Sequence, residues 1–115
     1  MSKRDWKLFL EDILESIELI RSYISGMTYE DFKKDRKTID AVVRNLEIIG
    51  EAARNIPDNI KAEHTDIDWK GMIGLRNRIA HGYFGISLGI VWNIIKNELP
   101  SLKVKIKQIL ETEGK

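Results

Sequence analysis

The residues with the clearest capacity for chemistry lie in one short stretch, Leu75–Phe84, which holds two arginines, an asparagine, a histidine and a tyrosine. A guanidinium can hold a phosphate through forked hydrogen bonds, and an imidazole can give or take a proton near neutral pH. Arg76 and His81 are therefore a minimal set of groups for cleaving a phosphodiester. RNA supplies its own nucleophile, the ribose 2′-hydroxyl, so we expect an RNA substrate and a site without a metal or other cofactor.

Helical spacing constrains how these side chains meet. Asn77 and His81 are four residues apart and share a helix face, so the amide could orient the imidazole. Arg76 precedes His81 by five residues, about 140° around an ideal helix, so the two do not stack directly. The arginine could wrap round, the helix could unwind near Gly82, or a second subunit could complete the site. We favour a site at the seam of a homodimer.

The same stretch also has a plainer interpretation. An Arg-Asn-Arg run near a helix end could be a solvated polar face with His81 bonded to a carbonyl, and spacing alone does not decide between the two. The other histidine, His64, is interpreted as a solvated residue of a polar connector. The glycines at 82, 85 and 89 lack a P-loop lysine and a preceding strand, which favours turn and packing roles.

Composition excludes several classes of function. The chain has 115 residues, enough for one domain, which we assign to residues 1–115. With no cysteine, it cannot form disulfides, thiolate metal sites or a cysteine nucleophile. A net charge of +1 argues against nonspecific coating of nucleic acid, so any contact must be local. Basic side chains at 33, 34, 36 and 37 could help to steer a polyanion.

The chain also lacks the patterns of a membrane or secreted protein. Its longest run without a charged residue, 79–95, contains histidine, asparagine and glycines, which suit a bilayer poorly. Acidic residues interrupt the first segment, where a signal peptide would need an apolar run. We expect a cytoplasmic protein with no membrane contact.

Apolar residues recur in steps of three and four, which predicts long amphipathic helices over 6–25 and 39–56. Gly26 would end the first helix, and Thr28 with Asp31 would cap a short helical turn that follows it. Gly50 lies inside the second helix, where a glycine is costly, so we expect another helix to approach closely there.

The remaining segments complete an all-α bundle. Residues 57–68 are interpreted as a polar connector, and Asp68 would cap a third helix from Trp69 to Gly82. Ser87 would cap a last helical stretch to residue 109, bent or restarted at Pro100. We therefore predict a bundle of about four to five helices. Large apolar residues off the main stripes favour a homodimer that buries them: Phe9, Leu14, Ile48, Ile90 and Ile94.

Taken together, these blocks resemble the HepT-like toxins of the HEPN superfamily. Arg76–Tyr83 matches the signature R-x-x-x-x-H-x-Y, with the polar residue expected after the arginine supplied by Asn77. The similarity covers nearly the whole chain. It includes the run Asp40–Ala53, the Asp68-Trp69 pair, the Val91-Trp92 pair and the Leu99-Pro100 pair.

The resemblance implies a HEPN-type bundle that dimerises and acts as a metal-independent endoribonuclease. Arg76 would bind and stabilise the scissile phosphate, His81 would transfer protons and Asn77 would support the geometry. Such proteins are toxins of type VII toxin–antitoxin systems, and transfer RNA is a reported class of target.

The resemblance also implies a partner, a minimal nucleotidyltransferase antitoxin called MntA, which transfers AMP from ATP to the motif tyrosine, here Tyr83. A bulky anion two residues from His81 could occupy the phosphate site, pair with Arg76 and repel RNA. Two alternatives stay open. The chain could be a noncatalytic nucleotide- or partner-binding subunit of a nucleotidyltransferase complex, or a structural helical bundle without a ligand.

Overall fold

The computed structural model describes residues 5–80 and 87–113, except for the side chains of residues 76, 79, 80 and 113. Within these ranges all regular structure is helical, which confirms the predicted all-α class. The elements are α1 (Trp6–Tyr23), α2 (Tyr29–Lys34), α3 (Arg36–Arg54), α4 (Asp58–Glu63), α5 (Trp69–Ile73), α6 (Leu75–Ala80), α7 (Leu88–Asn93), a π-helical segment (Ile94–Glu98) and α8 (Leu99–Glu113).

Side-chain caps begin the helices at the predicted places. Thr28 accepts a hydrogen bond from the backbone N–H of Asp31, and the Asp31 carboxylate accepts one from the Thr28 backbone, which completes a capping box at α2. Asp68 caps α5 and Ser87 caps α7. Gly26, with φ at +77°, follows α1 in the left-handed region, as expected of a residue beyond a helix end.

The second long helix begins earlier than its apolar pattern. Asp35 accepts a hydrogen bond from the backbone N–H of Thr38 at 3.1 Å, so α3 starts at Arg36 rather than near Ile39. The extra turn is polar and has no apolar periodicity, so the cap alone fixes its beginning.

The interpretation of 57–68 as a connector throughout is wrong, because α4 occupies 58–63. Pro57 presets the backbone angle at the helix entry, and its carbonyl accepts hydrogen bonds from the N–H groups of Ile60 and Lys61. Ile60 is buried and holds this short helix on the core. His64, at the end of α4, is half-buried rather than fully solvated.

The predicted third helix is interrupted. Gly74 separates α5 from α6, and its N–H bonds the carbonyl of Lys70 at 2.9 Å. Residues 81 and 82, to which that prediction extended, lie outside the described residues. Near Pro100, where a bend or restart was expected, residues 88–113 stay helical throughout, but the backbone widens into the π-helical segment just before α8, where proline has no N–H to donate.

The core lies where α3 packs against α1, α5 and α6, while α8 covers α1. Gly50 permits the closest of these contacts, since a Cβ there would lie 2.9 Å from the backbone carbonyl oxygen of Met72 on α5. The close approach predicted at Gly50 is therefore confirmed. Fully enclosed side chains at the centre include Leu10, Ile13, Ile20, Phe32, Leu46, Ile49 and Ile106.

The apolar residues held to favour a dimer do not behave alike. Ile94 is 1% exposed and belongs to the core, so its use in that argument is wrong. Phe9, Leu14 and Ile48 are half-buried, and Ile90 is 45% exposed. Dimerisation stays a prediction. Among the helices of the described ranges, none is both long and apolar enough to cross a membrane.

Candidate active site

The entry to the motif is fixed by α5. Asp68 accepts a hydrogen bond from the backbone N–H of Gly71 at 3.0 Å, which caps this helix. Trp69 is buried, and its indole N–H donates to the carbonyl oxygen of His64 at 2.9 Å. The His64 backbone thus positions Trp69, which anchors α5. The histidine side chain gives no indication of this backbone role.

Helix α6 carries the first part of the motif. Its first residue, Leu75, is 2% exposed and lies in the core. Asn77 is about 200° further round an ideal helix, and it is exposed to solvent. The structure therefore places Asn77 on the outer side of α6, where it could meet a ligand.

The predicted reacting groups are only partly described. The backbone of Arg76 lies in α6, but its side chain is outside the description. His81 and Tyr83 lie outside the described residues altogether. The convergence of Arg76 with His81, its location at a dimer seam and the modification of Tyr83 all stay predictions.

Arg78 holds the motif helix in a way that the sequence did not suggest. Its guanidinium Nη2 lies 3.4 Å from Oε2 of Glu98, in the π-helical segment. The two residues are twenty positions apart, so no helical spacing relates them. Leu75 thus fastens α6 to the core, and the half-exposed pair of Arg78 with Glu98 adds a weaker contact with the π-helical segment.

A groove of about 570 Å³ runs beside α6, between α5 and the stretch from the π-helical segment into α8. Apolar side chains of Met72, Leu75 and Leu99 line part of it, and Arg78 lies at its edge. The ammonium of Lys105 also lines the groove and donates to the backbone carbonyl of Asp66 at 2.7 Å. The charged residues along the groove are of both signs, so it has no uniformly basic surface for a polyanion.

The carboxylates with shifted pKa values serve the fold. A hydrogen bond from Lys103, whose Nζ lies 2.7 Å from Oε2 of Glu18, lowers the pKa of Glu18. Hydrogen bonds from Thr38 lower the pKa of Asp35, the cap of α3. Within residues 5–80 and 87–113, no three histidine, aspartate or glutamate side chains are grouped as a metal site.

The basic group at 33–37 is partly neutralised. Lys33 lies 3.4 Å from a carboxylate oxygen of Glu30, and Arg36 lies 3.1 Å from one of Asp40. Such exposed pairs weaken the field that the group can project toward a polyanion.

Comparison with known proteins decides the family. The model of the family described as Ribonuclease HepT-like matches residues 13–109, which span the chain from α1 into α8. The chain belongs to the ribonuclease HepT-like family. This confirms the resemblance, the HEPN-type bundle and the ribonuclease class to which the family belongs.

Relatives of similar length support the assignment. A probable ribonuclease HepT of Thermococcus cleftensis is 45% identical over 107 residues, covering 93% of this chain and 97% of the relative. A putative RNase of Methanocaldococcus jannaschii is 41% identical over 111 residues, covering 96% and 92%. One of Caldanaerobacter subterraneus subsp. tengcongensis is 40% identical over 105 residues, covering 91% and 94%. No solved structure matches significantly.

Proposed function

We propose that this HepT-like protein is a metal-independent endoribonuclease, in which Arg76 and His81 act on a phosphodiester of RNA. The observation that carries the proposal is the match of residues 13–109 to a ribonuclease family. The motif lies inside that region, and its described part begins on α6, which the core anchors at Leu75 and which exposes Asn77.

The proposed reaction uses the substrate's own 2′-hydroxyl. Its oxygen attacks phosphorus, the bond from phosphorus to the 5′ oxygen breaks, and the products are a 2′,3′-cyclic phosphate and a 5′-hydroxyl. His81 transfers a proton at this centre, and Arg76 holds the phosphate oxygens as negative charge develops on them. Asn77 supports the geometry. Because Arg76 and His81 are about 140° apart on a straight helix, a second copy of the chain would bring one beside the other.

We also propose that the protein is the toxin of a type VII toxin–antitoxin system, with transfer RNA as the substrate class. An MntA-like nucleotidyltransferase would be its antitoxin and would transfer AMP to Tyr83. The added phosphate would lie two residues from His81 in sequence and compete with RNA for Arg76. The family match and the presence of a tyrosine at that position support this proposal.

The test is cleavage of transfer RNA and of unrelated RNAs by the purified protein in EDTA, with analysis of the product ends. Arg76→Ala and His81→Ala should each abolish cleavage while leaving the circular dichroism spectrum unchanged. Arg54→Ala is the matched control, since this arginine is exposed and lies 3.9 Å from Glu51 on α3. Wild-type protein as inactive as the variants on every RNA would support a noncatalytic nucleotide- or partner-binding subunit instead.

A further inference from the structure

An aromatic cluster joins α2 to α7. The ring centroids of Phe32 and Trp92 are 5.2 Å apart, and those of Tyr29 and Trp92 are 6.0 Å apart, with the planes tilted by 45°. Phe32 is fully buried and anchors the cluster, whereas Tyr29 and Trp92 are only partly buried. The two outer rings therefore present a partly exposed aromatic surface.

Two lysines lie over these outer rings. The Nζ of Lys33 is 5.2 Å from the ring centroid of Tyr29, and that of Lys96 is 5.5 Å from the centroid of Trp92. We name Tyr29, Lys33, Trp92 and Lys96 the aromatic–lysine patch. An aromatic ring attracts an ammonium group and orients it without cancelling its charge.

The charge of Lys96 is the more available of the two. Lys33 shares its ammonium with Glu30 at 3.4 Å. Lys96 has no carboxylate within salt-bridge distance among the residues that the structure describes. By contrast, Lys103 is paired with Glu18 at 2.7 Å. The patch thus combines a positioned positive charge with ring surface.

The carboxylates near the patch come from α2 alone among its two helices. Helix α7, which carries Trp92, has no charged side chain, whereas α2 has Glu30, paired with Lys33, and Asp31, which accepts a hydrogen bond from the Thr28 backbone. Gly89 lies beside the patch, since a Cβ there would be in ordinary contact with the Tyr29 hydroxyl at 3.5 Å. No side chain of residue 89 therefore covers the patch at this edge.

The patch is also linked to the motif helix. Lys96 belongs to the π-helical segment, as does Glu98, whose carboxylate lies 3.4 Å from the guanidinium of Arg78 on α6. Lys96 and Glu98 are two residues apart and so lie on nearly opposite sides of this segment, which places the patch on a different side of it from the Arg78 contact.

We propose that the aromatic–lysine patch binds a single-stranded stretch of the RNA substrate. Bases would contact the rings of Tyr29 and Trp92, and phosphates would pair with Lys33 and Lys96. Aromatic rings combined with positive charge are the usual means of holding unpaired strands, because every base offers a flat face while a duplex hides its bases. The proposal rests on the proposed function for its substrate and adds residues outside the motif.

The test uses a fluorescein-labelled, single-stranded 2′-O-methyl RNA of twelve nucleotides, which lacks the 2′-hydroxyl and so cannot be cleaved by the proposed route. The variant Lys96→Gln should weaken binding about 5-fold at 0.1 M salt and lower the salt-dependence slope by about 0.7, and adding Lys33→Gln should increase both effects by less than that again, because Glu30 shares this ammonium. Lys7→Gln is the matched control, because Lys7 also lies over a ring, that of Trp6 at 5.8 Å. It should leave both quantities unchanged.

A second measurement reports on the rings. Binding of an unlabelled strand should quench tryptophan fluorescence, and Trp92→Phe should remove most of that quenching while retaining the melting temperature to within a few degrees. An unaltered salt slope in the double lysine variant, quenching that persists in Trp92→Phe, or equal competition by duplex RNA would each overturn the proposal. RNA cleavage by the wild-type protein is measured separately. If the patch does not bind RNA but cleavage occurs, the proposed function is unaffected. If no RNA is cleaved, the proposed function is contradicted whatever the patch binds.

Discussion

The substitution Gly50→Ala tests how α3 positions the motif. A Cβ at this position would lie 2.9 Å from the backbone carbonyl oxygen of Met72, closer than such contacts occur in proteins. The obstacle is backbone on a neighbouring helix, so no side-chain rotation relieves it. Helix α5 would have to move away from α3, and the chain passes from α5 into α6 after a single residue, Gly74.

Two opposing terms set the magnitude. Alanine gains about 1 kcal/mol over glycine inside a helix. Overpacking a filled site costs about 1–3 kcal/mol, and a contact with backbone belongs in the upper part of that range. We therefore expect a net loss of about 1–2 kcal/mol in the free energy of unfolding. For a domain of this size the melting temperature should fall by about 4–8 °C.

The assay is urea and thermal unfolding by circular dichroism, followed by RNA cleavage at a temperature where both proteins are folded. Gly89→Ala is the control for the unfolding measurements alone, because its Cβ would make only an ordinary 3.5 Å contact and the helical preference for alanine should prevail. Cleavage should fall in Gly50→Ala beyond any loss of folded protein, since α6 shifts with α5. If Gly50→Ala were as stable as wild type, the close packing of α3 on α5 would not hold the motif helix in place.

Three further outcomes follow from the structure. Asp68→Ala removes the cap of α5 and should cost about 1 kcal/mol in urea unfolding, whereas Asp66→Ala, which removes no cap, should cost clearly less. Hydrogen bonds from Thr38 hold the pKa of Asp35 below its usual 3.8, so the stabilisation they give is complete above that value and is lost as the pH falls below it. Melting curves from pH 6 to pH 2.5 should show this loss, and Asp35→Asn should show a smaller one. Tyr83→Phe should abolish the mass increase that AMP transfer produces with ATP and an MntA-like transferase, and the variant should keep cleaving RNA in that mixture; loss of cleavage without labelling would contradict the control mechanism.

Local signals were enough to predict much of the fold. The caps at Thr28, Asp68 and Ser87 depend on hydrogen bonds within three residues, so sequence spacing predicts them. Helix α4 was missed because it is six residues long and buries only Ile60, which leaves no repeat to detect. Ile94 lies three residues after the buried Val91, and Ile95 is buried beside it, so the apolar face here is wider than the single stripe that the sequence predicted.

In the candidate site, too, local features could be predicted from the sequence and contacts between distant residues could not. The solvent exposure of Asn77 agrees with its position around the helix from Leu75. The contact between Arg78 and Glu98 joins residues far apart in the chain, and only the packing of α6 on the π-helical segment reveals it. The roles of Arg76 and His81 rest on the family motif together with the chemistry of the two groups.

The most direct test of the central claim mixes two inactive proteins. Arg76→Ala and His81→Ala subunits are refolded together in equal amounts, and mixed dimers are verified by native mass spectrometry. Random pairing makes about half of the dimers mixed. If the arginine of one copy acts with the histidine of the other, each mixed dimer has one intact site out of two, so about a quarter of wild-type RNA cleavage should return. If mixed dimers form and cleavage stays at the level of either variant alone, the two groups do not act across a seam between copies, and the account of the site is wrong.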